Sequence, residues 1–264
     1  MELVLFYKIS FVVAALSAAS LTLSGKHQVT RGQTLDVFLL SQAAILGGLV
    51  SMIVFPHAHS FYIPFFSSIS CYFVFAFILS KLNLDASKKS AFVICGYLFL
   101  LSLQYLIIGL FPNLDSHVTS GLFGNMVVAS DKENFIIILS CIIFFNLYIL
   151  NRKKLNVRLF ESGIFSQKKV HLFDHFIFSM PVAISLYTLG FLYTLSFLII
   201  PFVISGSSFA TDKSSTRILT AVSVAASTAG LLMSILFENL PTTPVQIFLL
   251  VVGVSLSKIR LNFT

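Results

Sequence analysis

The sequence predicts an all-α fold, a polytopic bundle of transmembrane helices, and three observations carry that reading. Of its 264 residues, 57% are hydrophobic and only 10% are charged, against about 25% charged in a soluble domain. Mean hydropathy is +0.95, and apolar runs of about 18 residues or more, each long enough to cross a bilayer, recur along the chain. The period-2 alternation of a membrane β-barrel is absent.

The runs mark about nine spans in a single domain, 1–264, near 3–23, 33–55, 61–80, 90–112, 134–150, 173–189, 190–210, 216–236 and 244–260. The first holds "ALSAAS", a small-residue stretch like a signal-peptide cleavage site, but Glu2 comes first and Lys8 late, so it reads as a retained span. The second opens with Gln33 and Asp36 and carries Gln42, polar residues in an otherwise apolar helix. The third and fourth flank the Lys81, Lys88, Lys89 turn, and the fifth leads into a basic stretch at 151–172. Only "YTLGFLYT" separates the sixth from the seventh, so the count falls to eight if these form one helix broken at Gly190. Pro181 and Pro201 are kink positions within them.

Charge orients the bundle. With the N-terminus outside and the spans alternating, the inner loops hold Lys26, Arg31, Lys81, Lys88, Lys89, Arg152, Lys153, Lys154, Arg158, Lys168, Lys169, Lys213, Arg217, Lys258 and Arg260, which is 15 of the 17 basic residues. Lys8 and Lys132 fall elsewhere. The positive-inside bias therefore puts the C-terminus in the cytoplasm. The net charge of +7 lies in these loops and is no signature of nucleic-acid binding.

The stretch "NRKKLNVRLFESGIFSQKKVHL" (151–172) is basic and amphipathic, with Leu155, Leu159, Phe160, Ile164 and Phe165 among charges. It suits either an interfacial helix on anionic lipid or a docking helix for a cytosolic partner. The chain has no GxxxxGK[ST], HExxH or GxSxG motif. Cys71, Cys95 and Cys141 stand singly in apolar segments as small hydrophobes, and Asp174 and His175 sit where the sixth span meets the cytosol. Transport outranks catalysis, and the chain is expected to be no enzyme and to bind no cofactor of its own. The small residues around Gly47, Gly48, Gly109 and Gly230 suit close helix packing, and the 29 Phe residues suit lipid contact and packing.

Four stretches carry a resemblance. "FENLPTTPVQIFLL" (237–250) resembles the acid-Leu-Pro-Thr-Gly-Pro turn before the last helix of the membrane subunits of metal-ion (zinc, manganese, iron) ABC importers. "SFLIIPFVISGSSFA" (196–210) is similar to that family's Leu-Leu-Val-x-Pro helix, and "SGLFGNMVVASDKENF" (120–135) to its Leu-Phe-Gly segment. "RGQTLDVFLLSQAAILGG" (31–48) aligns with its Gly-Asp-Ala-Leu-x-His signature. The resemblance implies a type II ABC importer-like permease, present as a homodimer in the lipid bilayer. It also implies cytosolic ABC ATPase subunits that hold ATP and Mg, an extracytoplasmic metal-binding protein, and transported zinc or manganese. The coupling loop falls at 151–172. There Phe160 and Glu161 match the first two positions of the family's Phe-Asp-Pro-Glu-x-Ala pattern, while Ser162, Gly163, Phe165 and Lys169 depart from it. Phe160, Glu161, Ile164, Phe165, Lys168 and Lys169 are the expected ATPase contacts, and Pro201, Pro241 and Pro244 the gating or kink positions.

In that family an Asp and a His four residues apart share one face of the second span and hold the ion. Here Gln33 and Val37 occupy those positions, so both ligand types are gone. Asp36, three residues on from Gln33, is either a displaced pathway ligand or a carboxylate that snorkels or pairs with Arg31. A second set lies at the outer mouth: His57 and His59 in "PHAHS", and Asp115 and His117 in "NLDSH", either a metal relay of ligands zinc accepts or solvated loop residues. Metal ligation is thus expected at Asp36, His57 and His59. The alternative is a divergent permease-like subunit that carries another substrate or acts as a scaffold.

Overall fold

The structure, a computed structural model, describes residues 7–55, 62–82, 86–111, 114, 130–164, 172–206, 213–237 and 240–262. Among these residues the helices are α1 (Lys8–Thr30), α2 (Thr34–Val54), α3 (Tyr62–Lys81), α4 (Ala86–Leu110), α5 (Asp131–Ile164), α6 (Leu172–Thr188), α7 (Phe191–Ser205), α8 (Lys213–Leu236) and α9 (Thr242–Asn262). Six of them, α1 to α5 and α8, are long and apolar enough to cross a membrane, while the apolar parts of α6, α7 and α9 are shorter. α1 packs against α5, α6, α7 and α8; α2 packs against α3 and α4; and α6 touches both groups.

Two helices outrun the apolar runs that predict them. α1 continues to Thr30, past the expected end near residue 23, because its polar last turns are buried in protein. Ser24, Lys26, His27 and Gln28 are all at most 5% exposed. His27 stacks on Phe178 of α6 at 4.0 Å, and the Gln28 amide donates to the Phe178 carbonyl at 3.2 Å. α5 runs 34 residues to Ile164, well past the expected end near residue 150. Leu155 and Leu159, 1% and 6% exposed, sit 11 and 15 residues beyond Phe144 and keep one apolar face in register. Phe144, Leu155, Ile177 and Phe178 form a small second core with Leu23 and Tyr148 against it. At 1.5 Å per residue α5 is about 51 Å long, some 20 Å more than a hydrocarbon core of about 30 Å.

α6 and α7 are a hairpin rather than one broken helix. α6 runs antiparallel to α1, since Asp174 meets Arg31 and Phe178 meets His27. α7 returns alongside α1: the Tyr193 hydroxyl is 2.9 Å from Ser17 Oγ, and the Phe197 carbonyl accepts from Thr22. A Cβ on Gly25 would overlap the Leu198 carbonyl, so only glycine permits this approach. The turn is made at Gly190, with φ 90° and ψ 164°, a region essentially reserved for glycine. Its surroundings are enclosed, with Leu189 and Tyr193 1% exposed, as irregular backbone at membrane depth requires.

Buried hydrogen bonds tie the helices together. Tyr193 bridges Ser17 of α1 and Ser227 of α8, both at 2.9 Å, and Gln246 of α9 donates to the Ser227 carbonyl at 2.9 Å. Ser67 and Ser68 of α3 donate to the Gly47 and Ala44 carbonyls of α2 at 2.7 and 2.5 Å. Such bonds contribute about 0.6 kcal/mol each within a membrane. Of the small residues expected at close contacts, Gly47 and Gly230 lie in them, Gly48 makes ordinary contact, and among the described residues nothing lies within 4 Å of a Cβ placed on Gly109. Cys141 is buried and Cys71 partly so, whereas Cys95 is exposed on the outside of the bundle.

Candidate functional site

The basic turns gather at one end of the bundle, and the acidic groups that meet them are few. Asp36 stands in the first turn of α2 and is only 7% exposed. Its carboxylate accepts from Lys89 Nζ of α4 at 2.5 Å. Arg31, one of the alternatives weighed for it, is engaged elsewhere. Arg31 donates to Asp174 Oδ2 at 2.9 Å, and Arg158, on the extension of α5, donates to Asp174 Oδ1 at 2.6 Å. Asp174, in the first turn of α6, is 0% exposed, a carboxylate buried between two guanidinium groups. The three side chains fasten the turn after α1, the extension of α5 and the start of α6 to one another.

Gln33 and Val37, the positions aligned with the family ligands, are 9% and 2% exposed; Val37 belongs to the main core. Higher in α2, Gln42 is 1% exposed. Gln104 of α4 donates to its backbone carbonyl at 2.9 Å, but neither atom of the Gln42 amide has a partner among the described residues. A buried amide left unpaired costs about 1–3 kcal/mol, so Gln42 is a polar point along the helix that carries Asp36. His27 is similar: fully buried, stacked on Phe178, with neither ring nitrogen hydrogen-bonded among the described residues.

Pro201 lies inside α7 and is buried. Proline offers no N–H to the carbonyl four residues back, here Phe197, and that carbonyl accepts from Thr22 Oγ1 of α1 at 3.4 Å instead. Pro241 and Pro244 are exposed at the start of α9. Among the described residues no group of three or more His, Cys, Asp or Glu stands together. The outer-mouth set His57, His59, Asp115 and His117 lies outside the described residues, as do Phe165, Lys168 and Lys169. Phe160, Glu161 and Ile164 belong to the last turns of α5, their side chains outside the described set.

With this geometry in view the sequence can be placed. The profile of the ABC 3 transport family matches residues 4–259. The chain belongs to the ABC 3 transport family. It is a membrane permease of the ABC transporter class. Two solved structures share the fold of this ABC 3 permease. One is PsaBC from Streptococcus pneumoniae in complex with Fab, with a TM-score of 0.75 and 18% identity, covering 96% of this chain and 90% of that one. The other is described as a metal-chelate type ABC transporter in an inward-facing conformation, with a TM-score of 0.71 and 15% identity, covering 96% and 86%. No curated relative matches the sequence.

Sequence reading missed the partners more than the residues. Lys89, Arg158 and Asp174 are each conspicuous as charges beside apolar runs, yet nothing in their spacing says which meets which. Gln42 is legible as a polar residue inside a span, whereas His27 falls in a stretch that reads as a loop and gives no sign of burial.

Proposed function

We propose that this permease imports a divalent metal ion, zinc or manganese, across a bacterial-type inner membrane by alternating access driven by ATP on two cytosolic ATPase subunits. An extracytoplasmic binding protein delivers the ion, and a second copy of the chain completes the pathway. The N-terminus faces outside and the C-terminus the cytoplasm. The observation that supports this most is the family match over residues 4–259; the likeness to a metal-chelate type transporter agrees with it.

In this reading α2 lines the pathway and Asp36 supplies the carboxylate that Gln33 does not. Lys89 neutralises that carboxylate when no ion is bound, and an arriving cation competes with the ammonium for it. The side chains of His57, His59, Asp115 and His117 pass the ion inward from the mouth. Residues from Phe160 to Val170 dock on the ATPase, and the length of α5, which carries its last turns beyond the apolar bundle, supports this. The Arg31–Asp174–Arg158 cluster passes movement of α5 to α6 and the α1–α2 turn.

The test is uptake of radioactive zinc and manganese into vesicles holding the permease, its ATPase and its binding protein. Asp36→Asn should lower uptake at least about tenfold with assembly intact, about 1.4 kcal/mol in transport competence. Loss only when His57 and His59 are both changed to Ala would move selection to the mouth. A second reading, a permease for another substrate or a scaffold, is favoured by Gln33 and Val37 standing where the ligands belong. It predicts an assembled wild type that carries neither metal.

A further inference from the structure

One cavity is distinct from the α2 site. It has a volume of about 580 Å³ and opens between the basic ends of α1, α5 and α8. Lys26, Arg152 and Arg217 line its polar part, with Asn156, Thr216 and Thr220 among them, while Leu23, Ala221, Val224 and Ala225 line the rest and Tyr148 stands beside Arg152. Three cations and no carboxylate line it among the described residues. Thr216 and Arg217 also belong to the first turns of α8, where the backbone N–H groups and the helix dipole favour an anion.

The gradient along the lining is as informative as its charge. Along α8 the residues pass from Thr216 and Arg217 through Thr220 and Ala221 to Val224 and Ala225. On α1 they pass from Lys26 back to Leu23, and on α5 from Asn156 and Arg152 back to Tyr148. Each helix turns from charged to apolar in the same direction, from the basic end toward the middle of the membrane. A free inorganic anion needs only the basic end of such a slot. A molecule with an anionic head and an apolar tail uses both. Basic pockets between helices at the cytoplasmic face are suited to anionic headgroups, and a tyrosine at that depth suits the interface.

We propose that this cavity binds the headgroup and upper acyl chain of an anionic phospholipid of the cytoplasmic leaflet. Arg152 and Arg217 bind the phosphate, Thr220 and Asn156 offer hydrogen bonds to its ester and glycerol oxygens, and the Ala221–Val224–Ala225 face of α8 receives the chain. The site joins α5, whose far end leads to the coupling segment, to α1 and α8, so an occupied site braces the three helices against one another. The inference rests on the basic end being cytoplasmic and not on the cargo.

The experiment is native mass spectrometry of the full chain, purified in mild detergent from vesicles of phosphatidylglycerol and phosphatidylcholine in equal amounts, with thermal unfolding measured alongside. Wild type should retain phosphatidylglycerol several-fold over phosphatidylcholine. Arg152→Ala with Arg217→Ala should lower that retention about 25-fold, a factor of about five for each basic side chain near an anionic surface. Ala221→Trp leaves every charge in place and fills the slot, so it should lower retention too, which keeps the test valid if the double variant does not fold. Lys153→Ala, one residue beyond Arg152 and outside the lining, should change nothing. Equal retention of the two lipids, retention unaffected by Ala221→Trp, or a loss as large in Lys153→Ala would overturn the proposal. So would full displacement of the lipid by inorganic phosphate, which would make the site one for the free ion, or a lipid-free wild type that buries Ala221 against a second copy.

Discussion

Asp174 is wholly buried between Arg31 and Arg158, and both of its carboxylate oxygens accept from guanidinium groups. Removing one partner from such a group leaves buried charge uncompensated, at a cost of about 3–5 kcal/mol. Asp174→Ala should therefore lower the unfolding temperature in detergent sharply, whereas changing Arg31, Asp174 and Arg158 together to apolar residues should recover much of the loss. A triple variant no more stable than Asp174→Ala would show that the cluster does more than neutralise itself. Asp36 and Lys89 are 53 residues apart and Arg31 and Asp174 143 apart, separations at which a single sequence carries no pairing signal. That Asp36 is exceptional was legible from its place inside an apolar run; that it would meet Lys89 rather than Arg31 was not. The burial of Asp174 depends on the extension of α5, which hydropathy alone ends too early.

At the scale of helices, the turn between α6 and α7 carries the clearest expectation. Gly190→Ala puts a side chain where φ is 90° and ψ 164°, a strain of about 1–3 kcal/mol, and should lower thermal stability without changing oligomeric state. An unchanged unfolding temperature would mean that the turn adapts. Each apolar run in the sequence did become a helix, because the membrane leaves the backbone no other way to satisfy its hydrogen bonds. The sequence left open whether segments six and seven were one broken helix or two. The return of α7 along α1 is set by Tyr193, by Gly25 against Leu198 and by the proline-freed Phe197 carbonyl, all long-range contacts. The coupling segment was legible as an amphipathic stretch, but its first part is the end of α5, since Leu155 and Leu159 bury on the same side as Phe144.

For the molecule as a whole, orientation is the property most cheaply tested. A reporter on the C-terminus should be reached only from the cytoplasm, and a tag before Met1 only from outside; the opposite result would invert every assignment of mouth and coupling end. Composition and the distribution of 17 basic residues were enough to read the fold class, because bilayer thickness and charge bias act on segments one at a time. The family was legible only as a resemblance spread over four stretches, and the match over residues 4–259 bears that family out. The buried polar end of α1 has a consequence for biogenesis. Gln28 reaches its partner carbonyl on Phe178 across 150 residues of chain. At about 5–20 residues per second that partner emerges from the ribosome roughly 8–30 s after α1 does. Tyr148 of α5, which also meets the His27 ring, is made earlier in that interval, but until Phe178 follows it His27 lacks its stacking partner and Gln28 its carbonyl. The polar end of α1 is therefore completed only by the synthesis of α6, two-thirds of the way along the chain.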